Sequence, residues 1–270
     1  MINREYSQVA KVTVAVVVIP ARYGSTRFPG KPLALLKGKP IIHWVYERAK
    51  GSRLAQDVIV ATDDERIFRS IVEIGGKAVM TEPHHASGTD RIAEVARSLE
   101  SDIIINVQGD EPFIKGDMID HTIELLKDPR ASISTLARRI ESPEELIDPN
   151  VVKVVFDSEG FALYFSRSVI PYYRDRWKAP TVTCATDTSL FIENEIEIYK
   201  HIGIYGYRRD ALLMLSSLPQ SKLEKIEKLE QLRALEKGLK IKVGLTPYNT
   251  IGIDTPEDLK KAEELISKRE

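Results

Sequence analysis

A chain of 270 residues, 43% of them apolar, is long enough to bury a sizeable core. Its formal net charge of −1, with acids and bases interspersed, leaves no basic excess for a nucleic-acid backbone, so a nucleic-acid partner is not expected. The single cysteine, Cys184, precludes an intrachain disulfide and fits a reducing compartment, and no apolar run reaches membrane-spanning length. Met1 to Lys11 is too polar for the apolar stretch of a signal peptide and reads as a frayed extension. A soluble cytoplasmic protein with no membrane partner is the expectation.

The first element is the β-branched run Val16 to Ile19, a strand buried on both faces, and Pro20 is expected to stop its ladder because proline has no N–H to donate. The loop that follows carries Arg22, Arg27 and Lys31 among Gly24, Ser25 and Gly30, small residues that let backbone amides approach an anion. Three cations in such a loop describe a phosphate site. It is not a Walker loop, since Pro32 follows Gly30-Lys31, nor is it a G-x-G-x-x-G dinucleotide loop. Next, Pro40 stands at a helix start, with Ile41, Ile42, Trp44, Val45 and Ala49 at helical spacing up to Gly51. Val58 to Thr62 reads as a strand, Asp63 or Asp64 as the cap of a helix bearing Ile67, Ile71 and Val72, and Ala78 to Met80 as a short strand. Thr89-Asp90-Arg91 opens a helix with Ile92, Val95, Ala96 and Leu99 on one face, and Ile103 to Val107 is the central strand. Repeated strand–loop–helix units predict an α/β fold with a doubly wound, mostly parallel sheet, which binds ligands at the carboxyl ends of its strands.

The second half changes character. Ser132 to Ala137, Val151 to Phe156 and Phe161 to Phe165 read as strands with no helix between them, the last two joined by the turn Asp157 to Gly160. The stretch from Trp177 to Lys200 has no periodicity. Ile202 to Tyr207 is a further strand, Leu223, Ile226, Leu229, Leu232 and Leu235 mark one amphipathic helix, and Ile241 to Leu245 is a strand. Thr255 then caps a terminal helix with Pro256 in its first position. With no repeat and no low-complexity linker, residues 1–270 read as a single domain in which about 130–240 form an α+β elaboration.

Seven blocks in order carry a resemblance: Ile19 to Leu33, His85 to Arg91, Asn106 to Pro112, Tyr164 to Arg167, His201 to Arg208, Leu229 to Arg233 and Asp254 to Leu259. Together they resemble the family of 3-deoxy-manno-octulosonate cytidylyltransferases, the CMP-Kdo synthetases, over about residues 16 to 260. The resemblance implies a nucleotide-diphospho-sugar transferase-like fold and transfer of CMP from CTP to 3-deoxy-D-manno-octulosonate (Kdo), with release of pyrophosphate, which activates Kdo for lipopolysaccharide biosynthesis. It also implies a homodimer built through the second-half strands and helices.

Nucleotidyl transfer needs no protein nucleophile; it needs positioning, cations on the triphosphate and carboxylates for Mg²⁺. The resemblance assigns Arg22 and Lys31 to the triphosphate, with Arg27 helping and Ala21, Gly24 and Ser25 beside them, and gives Ser87, Gly88, Arg91 and Gln108 to the nucleotide. Asp110, just past an apolar strand, and Asp254, after a second hydrophobic segment, form the metal pair, since hard oxygens from two segments suit Mg²⁺. For Asp254 and for the Ser87 block, simple helix capping is the competing reading. Arg167 matches the guanidinium for the Kdo carboxylate, with Arg174 in reserve. Gln108, His201, Tyr205, Glu230 and Gln231 match sugar-lining positions, although pattern alone equally puts Glu230 and Gln231 on a solvated helix face. His84 and His85 are adjacent and poorly placed to share a zinc ion. Two other functional classes stay open: a neighbouring sialic-acid or sugar-1-phosphate nucleotidyltransferase, and an inactive binding module on the same fold.

Overall fold

The computed structural model describes residues 13–24, 28–174 and 197–267. The polar N-terminal stretch, Ser25, Arg27, Cys184 and residues 177–196 of the unplaced stretch lie outside the described residues. In chain order the elements are β1 (Ala15–Ala21), a hairpin of β2 (Leu35–Leu36) and β3 (Lys39–Pro40), α1 (Ile41–Ala49), β4 (Asp57–Thr62), α2 (Glu65–Glu73), β5 (Lys77–Met80), α3 (Gly88–Ser98), β6 (Ile103–Asn106) and α4 (Gly116–Leu125). There follow β7 (Ile133–Arg139), α5 (Pro143–Ile147), β8 (Lys153–Phe156), β9 (Ala162–Ser166), β10 (Tyr199–Arg208), α6 (Arg209–Ser217), α7 (Lys222–Glu227), α8 (Gln231–Glu236), β11 (Ile241–Leu245) and α9 (Pro256–Ser267).

The main row of strands runs β11-β7-β10-β6-β1-β4-β5. Only β10 runs against the others, being antiparallel to both β6 and β7, so the sheet is mostly parallel as the alternating units predict. Both faces are covered, and the residues divide with period two. Val17, Ile19, Val58, Val60, Ile103 and Ile105 join a core with α1, α2, α4 and α9, while Val16, Val18, Ile59, Ala61 and Ile104 pack against α3, α6 and α8. No helix among the described residues is long and apolar enough to cross a membrane.

Three sequence expectations change. Pro20 does not end β1: it stays in register with Ala61 of β4, and the strand continues to Ala21. Successive residues of a strand address opposite neighbours, and Val18 already bonds towards β6, accepting from Val107. Pro20 therefore turns its missing donor to the β6 side, where pairing has stopped at Val18–Asn106. A five-residue helix, α5, interrupts the run of second-half strands, capped by Ser142 with Pro143 in its first turn. The leucine-rich helix is two helices, α7 and α8, broken at Lys228, which adopts φ 55°. Leu229 and Leu232 are buried, but Ile226 is 67% exposed, so one continuous apolar stripe does not exist.

The predicted turn joining β8 and β9 is present, with Asp157 accepting from the Gly160 and Phe161 amides. This hairpin extends the sheet by pairing β8 with the start of β10. The chain runs outward from β1 through β4 to β5 and then crosses to β6 on the other side of β1. That reversal opens a crevice at the carboxyl ends of β1 and β6, where sheets of this kind bind ligands.

Candidate active site

A cavity of about 350 Å³ fills this crevice. The end of β1 contributes Pro20, Ala21 and Arg22; the segment after β6 contributes Gln108, Gly109 and Asp110; the start of α3 contributes Ser87, Gly88 and Arg91; and Lys31, Pro32, His85, Ala86 and Asp254 complete the wall. Of the nucleotide-site residues expected from sequence, the structure brings together Ala21, Arg22, Lys31, Ser87, Gly88, Arg91, Gln108, Asp110 and Asp254. Gly24 is exposed just beyond Arg22, while Ser25 and Arg27 lie outside the described residues.

Lys31 is the centre of the charge arrangement. Its Nζ donates to Asp110 Oδ2 at 2.6 Å and to Asp254 Oδ1 at 3.0 Å, joining segments 223 residues apart. Burial works against the charge of this ammonium, but the Asp110 and Asp254 carboxylates outweigh it and hold the Lys31 pKa above its ordinary value. Arg22 is exposed at the mouth, and among the described residues it has no carboxylate partner. A cation left open to solvent beside one already bridged by acids is what an incoming polyphosphate would meet.

Helix capping does not account for Asp254. The cap of α9 is Thr255, whose Oγ1 accepts from the Asp258 amide while Asp258 Oδ2 accepts from the Thr255 amide. At α3 the capping reading holds, because Ser87 and Asp90 form a reciprocal capping box, and the same Ser87 also lines the cavity. Arg91, 3% exposed, is braced against Asp63 at 3.0 Å and against the Thr81 hydroxyl.

Two glycines are required by close approach. Gly30 has φ 71°, and a Cβ there would stand 2.9 Å from the Tyr23 hydroxyl, so the loop closes over the tyrosine ring. Its amide bonds the Tyr23 carbonyl at 3.0 Å, closing the loop at its base. At Gly109 a Cβ would lie 2.8 Å from the Pro20 carbonyl oxygen, a backbone atom that cannot swing away. Gly109→Ala is therefore expected to cost about 1–3 kcal/mol through overpacking and to displace Asp110. A thermal midpoint lowered by several degrees together with reduced turnover checks this; an unchanged midpoint contradicts it.

Of the expected sugar-side residues, Gln108 lines the cavity, whereas His201, Tyr205, Glu230 and Gln231 lie outside it and are buried or half-buried. His201 Nε2 bonds Thr135 Oγ1 at 2.8 Å, and its ring lies 5.2 Å from those of Phe165 and Tyr205. Burial pushes the His201 pKa down to about 3 and raises those of Tyr205 and Tyr207. Glu230 and Gln231 are not on a solvated face, which corrects that reading: the helix break at Lys228 turns both inward. Gln231 is buried, and Glu230 accepts from Ser87 Oγ at 3.1 Å and Thr89 Oγ1 at 2.7 Å. Arg167 does not line the cavity. Its Nε donates to the Glu227 carbonyl at 2.7 Å and its Nη1 to the Pro149 carbonyl at 2.8 Å, so it braces the helix break; Arg174 is exposed.

Two residues of the region carry no role in the sequence reading. His85, on the cavity wall, pairs through Nε2 with Glu94. Glu111 turns away from the cavity and is half-buried, with its enclosed Oε2 lacking a hydrogen-bond partner among the described residues. Desolvation, with Asp110 nearby, pushes its pKa up to about 8. Adjacency to Asp110 was the only signal in the sequence, and it does not reveal burial.

A cytidylyltransferase family model matches residues 16–241, which include every cavity residue except Asp254. The 3-deoxy-manno-octulosonate cytidylyltransferase of Thermodesulfovibrio yellowstonii is 56% identical over 262 residues, covering 94% of this chain and 98% of the relative. The chain belongs to the 3-deoxy-manno-octulosonate cytidylyltransferase family. A second cytidylyltransferase of that name, from Trichlorobacter lovleyi, is 51% identical over 254 residues, covering 94% of this chain and 98% of its own. Among solved structures, a CMP:2-keto-3-deoxy-manno-octonic acid synthetase complexed with CTP superposes with a TM-score of 0.85 at 43% identity, over 96% of this chain and 100% of the other. A 4-diphosphocytidyl-2C-methyl-D-erythritol synthase from Anaerococcus prevotii (TM-score 0.61, 15% identity, 94% and 96% coverage) shares the cytidylyltransferase fold alone.

Proposed function

We propose that this chain transfers CMP from CTP to Kdo, activating the sugar for lipopolysaccharide biosynthesis. The anomeric hydroxyl oxygen of Kdo forms a bond to the α-phosphorus of CTP, the bond from that phosphorus to the bridging oxygen of the β-phosphate breaks, pyrophosphate leaves and the hydroxyl proton passes to solvent. The observation that carries this reading is the convergence of Lys31, Asp110 and Asp254 at a cavity whose mouth holds Arg22. Arg22 and Lys31 neutralise the triphosphate, and the Ser87–Gly88 helix start offers amides and a hydroxyl to the nucleotide.

The donor set fits a magnesium ion. Asp110 and Asp254 present two hard oxygens to one cation position, and no group of three or more His, Cys, Asp or Glu side chains suited to a metal occurs among the described residues. Mg²⁺ is commonly held by one or two carboxylates, with water and phosphate oxygens completing its shell. Asp110 and Asp254 would hold it, and when bound it supplies charge neutralisation at the triphosphate.

The Kdo carboxylate falls to Arg167 in this reading, through the N–H groups that its carbonyl partners leave over. Arg167→Lys is expected to raise the KM for Kdo about tenfold, because an ammonium cannot reproduce the planar fork, while the KM for CTP holds. A fall in CTP affinity with Kdo affinity unchanged would reverse this division of the pocket. We also assign the chain a homodimeric state and a cytoplasmic place; a monomeric mass in light scattering at micromolar concentration would contradict the dimer.

The deciding experiment measures pyrophosphate release from CTP, UTP and ATP with Mg²⁺ and a panel of acidic sugars. Release with CTP and Kdo is expected. Release with another sugar or nucleotide would move the chain to a neighbouring nucleotidyltransferase activity, and release with none would favour a binding module.

A further inference from the structure

Ser87 and Thr89 flank the glycine that begins α3 on the cavity wall, and both hydroxyls are held from outside that helix by one carboxylate, Glu230. Glu230 is itself held. Arg233, one helical turn on and 5% exposed, donates from Nη2 to Glu230 Oε1 at 3.0 Å. The rest of its guanidinium is fixed: Nε and Nη2 form a bidentate pair with Glu224 at 2.9 and 2.8 Å, and Nη1 reaches the Leu215 and Leu218 carbonyls at 3.1 and 3.2 Å. Glu224 is anchored in turn, because its carboxylate accepts from the Ser221 amide in the capping box of α7. Every link from Glu224 to α3 is a side-chain contact between buried or half-buried groups, and the left-handed Lys228 lets Glu230 face the α3 start.

We infer that Arg233 is a positioning residue for nucleotide binding, acting through Glu230 and the buried Thr89 behind it to fix the Ser87–Gly88 wall of the cavity; this rests on the reading of that cavity as the CTP site. Arg233 does not line that cavity, although it borders a neighbouring one together with Ser87 and Glu230. A planar guanidinium suits the task because one fork grips Glu224 while the same Nη2 reaches Glu230, a geometry that a lysine ammonium lacks. A Ser87 hydroxyl has one proton, and two acceptors compete for it, Asp90 Oδ2 at 3.0 Å and Glu230 Oε1 at 3.1 Å. Holding Glu230 in place therefore also sets which way the Ser87 oxygen presents its lone pairs to the cavity.

The test is a double-mutant cycle between Arg233→Met and Thr89→Val, with CTP dissociation constants measured on folded protein by calorimetry and KM values for both substrates from pyrophosphate release. Arg233→Met is expected to weaken CTP binding about tenfold and Thr89→Val about threefold, and the double variant should be no weaker than Arg233→Met, since both interrupt the same relay through Glu230. The KM for Kdo should change by less than about twofold. Strictly additive effects, an unchanged CTP affinity with only a lower melting temperature, or a shift confined to the Kdo KM would each overturn the inference. Should Arg233→Met fail to fold, Thr89→Val decides alone: an unaltered CTP affinity refutes the relay. A wild-type protein that binds no CTP would overturn the functional reading and the relay with it, whereas normal wild-type binding with additive variants removes the relay only.

Discussion

Asp110→Asn and Asp254→Asn should each lower turnover by about two orders of magnitude or more while leaving the protein folded. Each change removes an anionic oxygen from the position where a divalent ion would neutralise the charge that develops on the triphosphate, and such interactions contribute several kcal/mol to a transition state. Folding should survive because the two carboxylates share one partner: with either gone, Lys31 keeps the other at hydrogen-bond distance. The side chain of Asp254 is 47% exposed, and the α9 start is capped by Thr255 and Asp258 without it. Circular dichroism and thermal melting beside steady-state pyrophosphate release give the answer. Near-normal turnover in a protein that melts early would show Asp254 to be a structural residue and sink the metal role.

What the sequence made legible follows from local chemistry. β1 and β6 announced themselves because strands covered on both faces are continuous β-branched runs, and the loop after β1 because cations and small residues cluster there. The pairing of Asp110 with Asp254 was accessible only through motif resemblance, since nothing local ties positions so far apart to one lysine. The helix break at Lys228 was illegible for a different reason. Leucines at helical spacing continue across it, and the distortion is held by a distant partner, Arg167 gripping the Glu227 carbonyl, together with Arg233 holding Glu230 from one turn further on. The same break explains why Glu230 reads as a surface residue in a helical projection yet lies half-buried against Ser87 and Thr89. Pro20 misled because a missing donor matters only on the side where a neighbour waits for it.

Opposite pH dependences of stability are expected from two desolvated side chains, Glu111 and His201. Burial depresses the His201 pKa to about 3, so the folded protein keeps this ring neutral while the unfolded chain takes up a proton near pH 6.5. Its contribution to stability is present above that value and is lost as pH falls towards 3. Glu111 behaves conversely. Burial, reinforced by Asp110 and Asp254 and opposed by Thr250 and Lys31, raises it to about 8, so its contribution is present below about pH 4.5 and is lost as pH rises through 8. Each slope is at most about 1.4 kcal/mol per pH unit, and between about pH 4.5 and 6.5 the two oppose each other. In metal-free protein, His201→Gln should leave the Glu111 slope unopposed, so that stability climbs steadily as pH drops from 8 to 5. Glu111→Gln should do the reverse, abolishing the loss between pH 6.5 and 8 and exposing acid sensitivity below 6.5. Urea unfolding midpoints at pH 5, 6, 7 and 8 distinguish these outcomes. Variant curves running parallel to that of the wild type would mean that neither group is buried in the protonation state that its surroundings dictate.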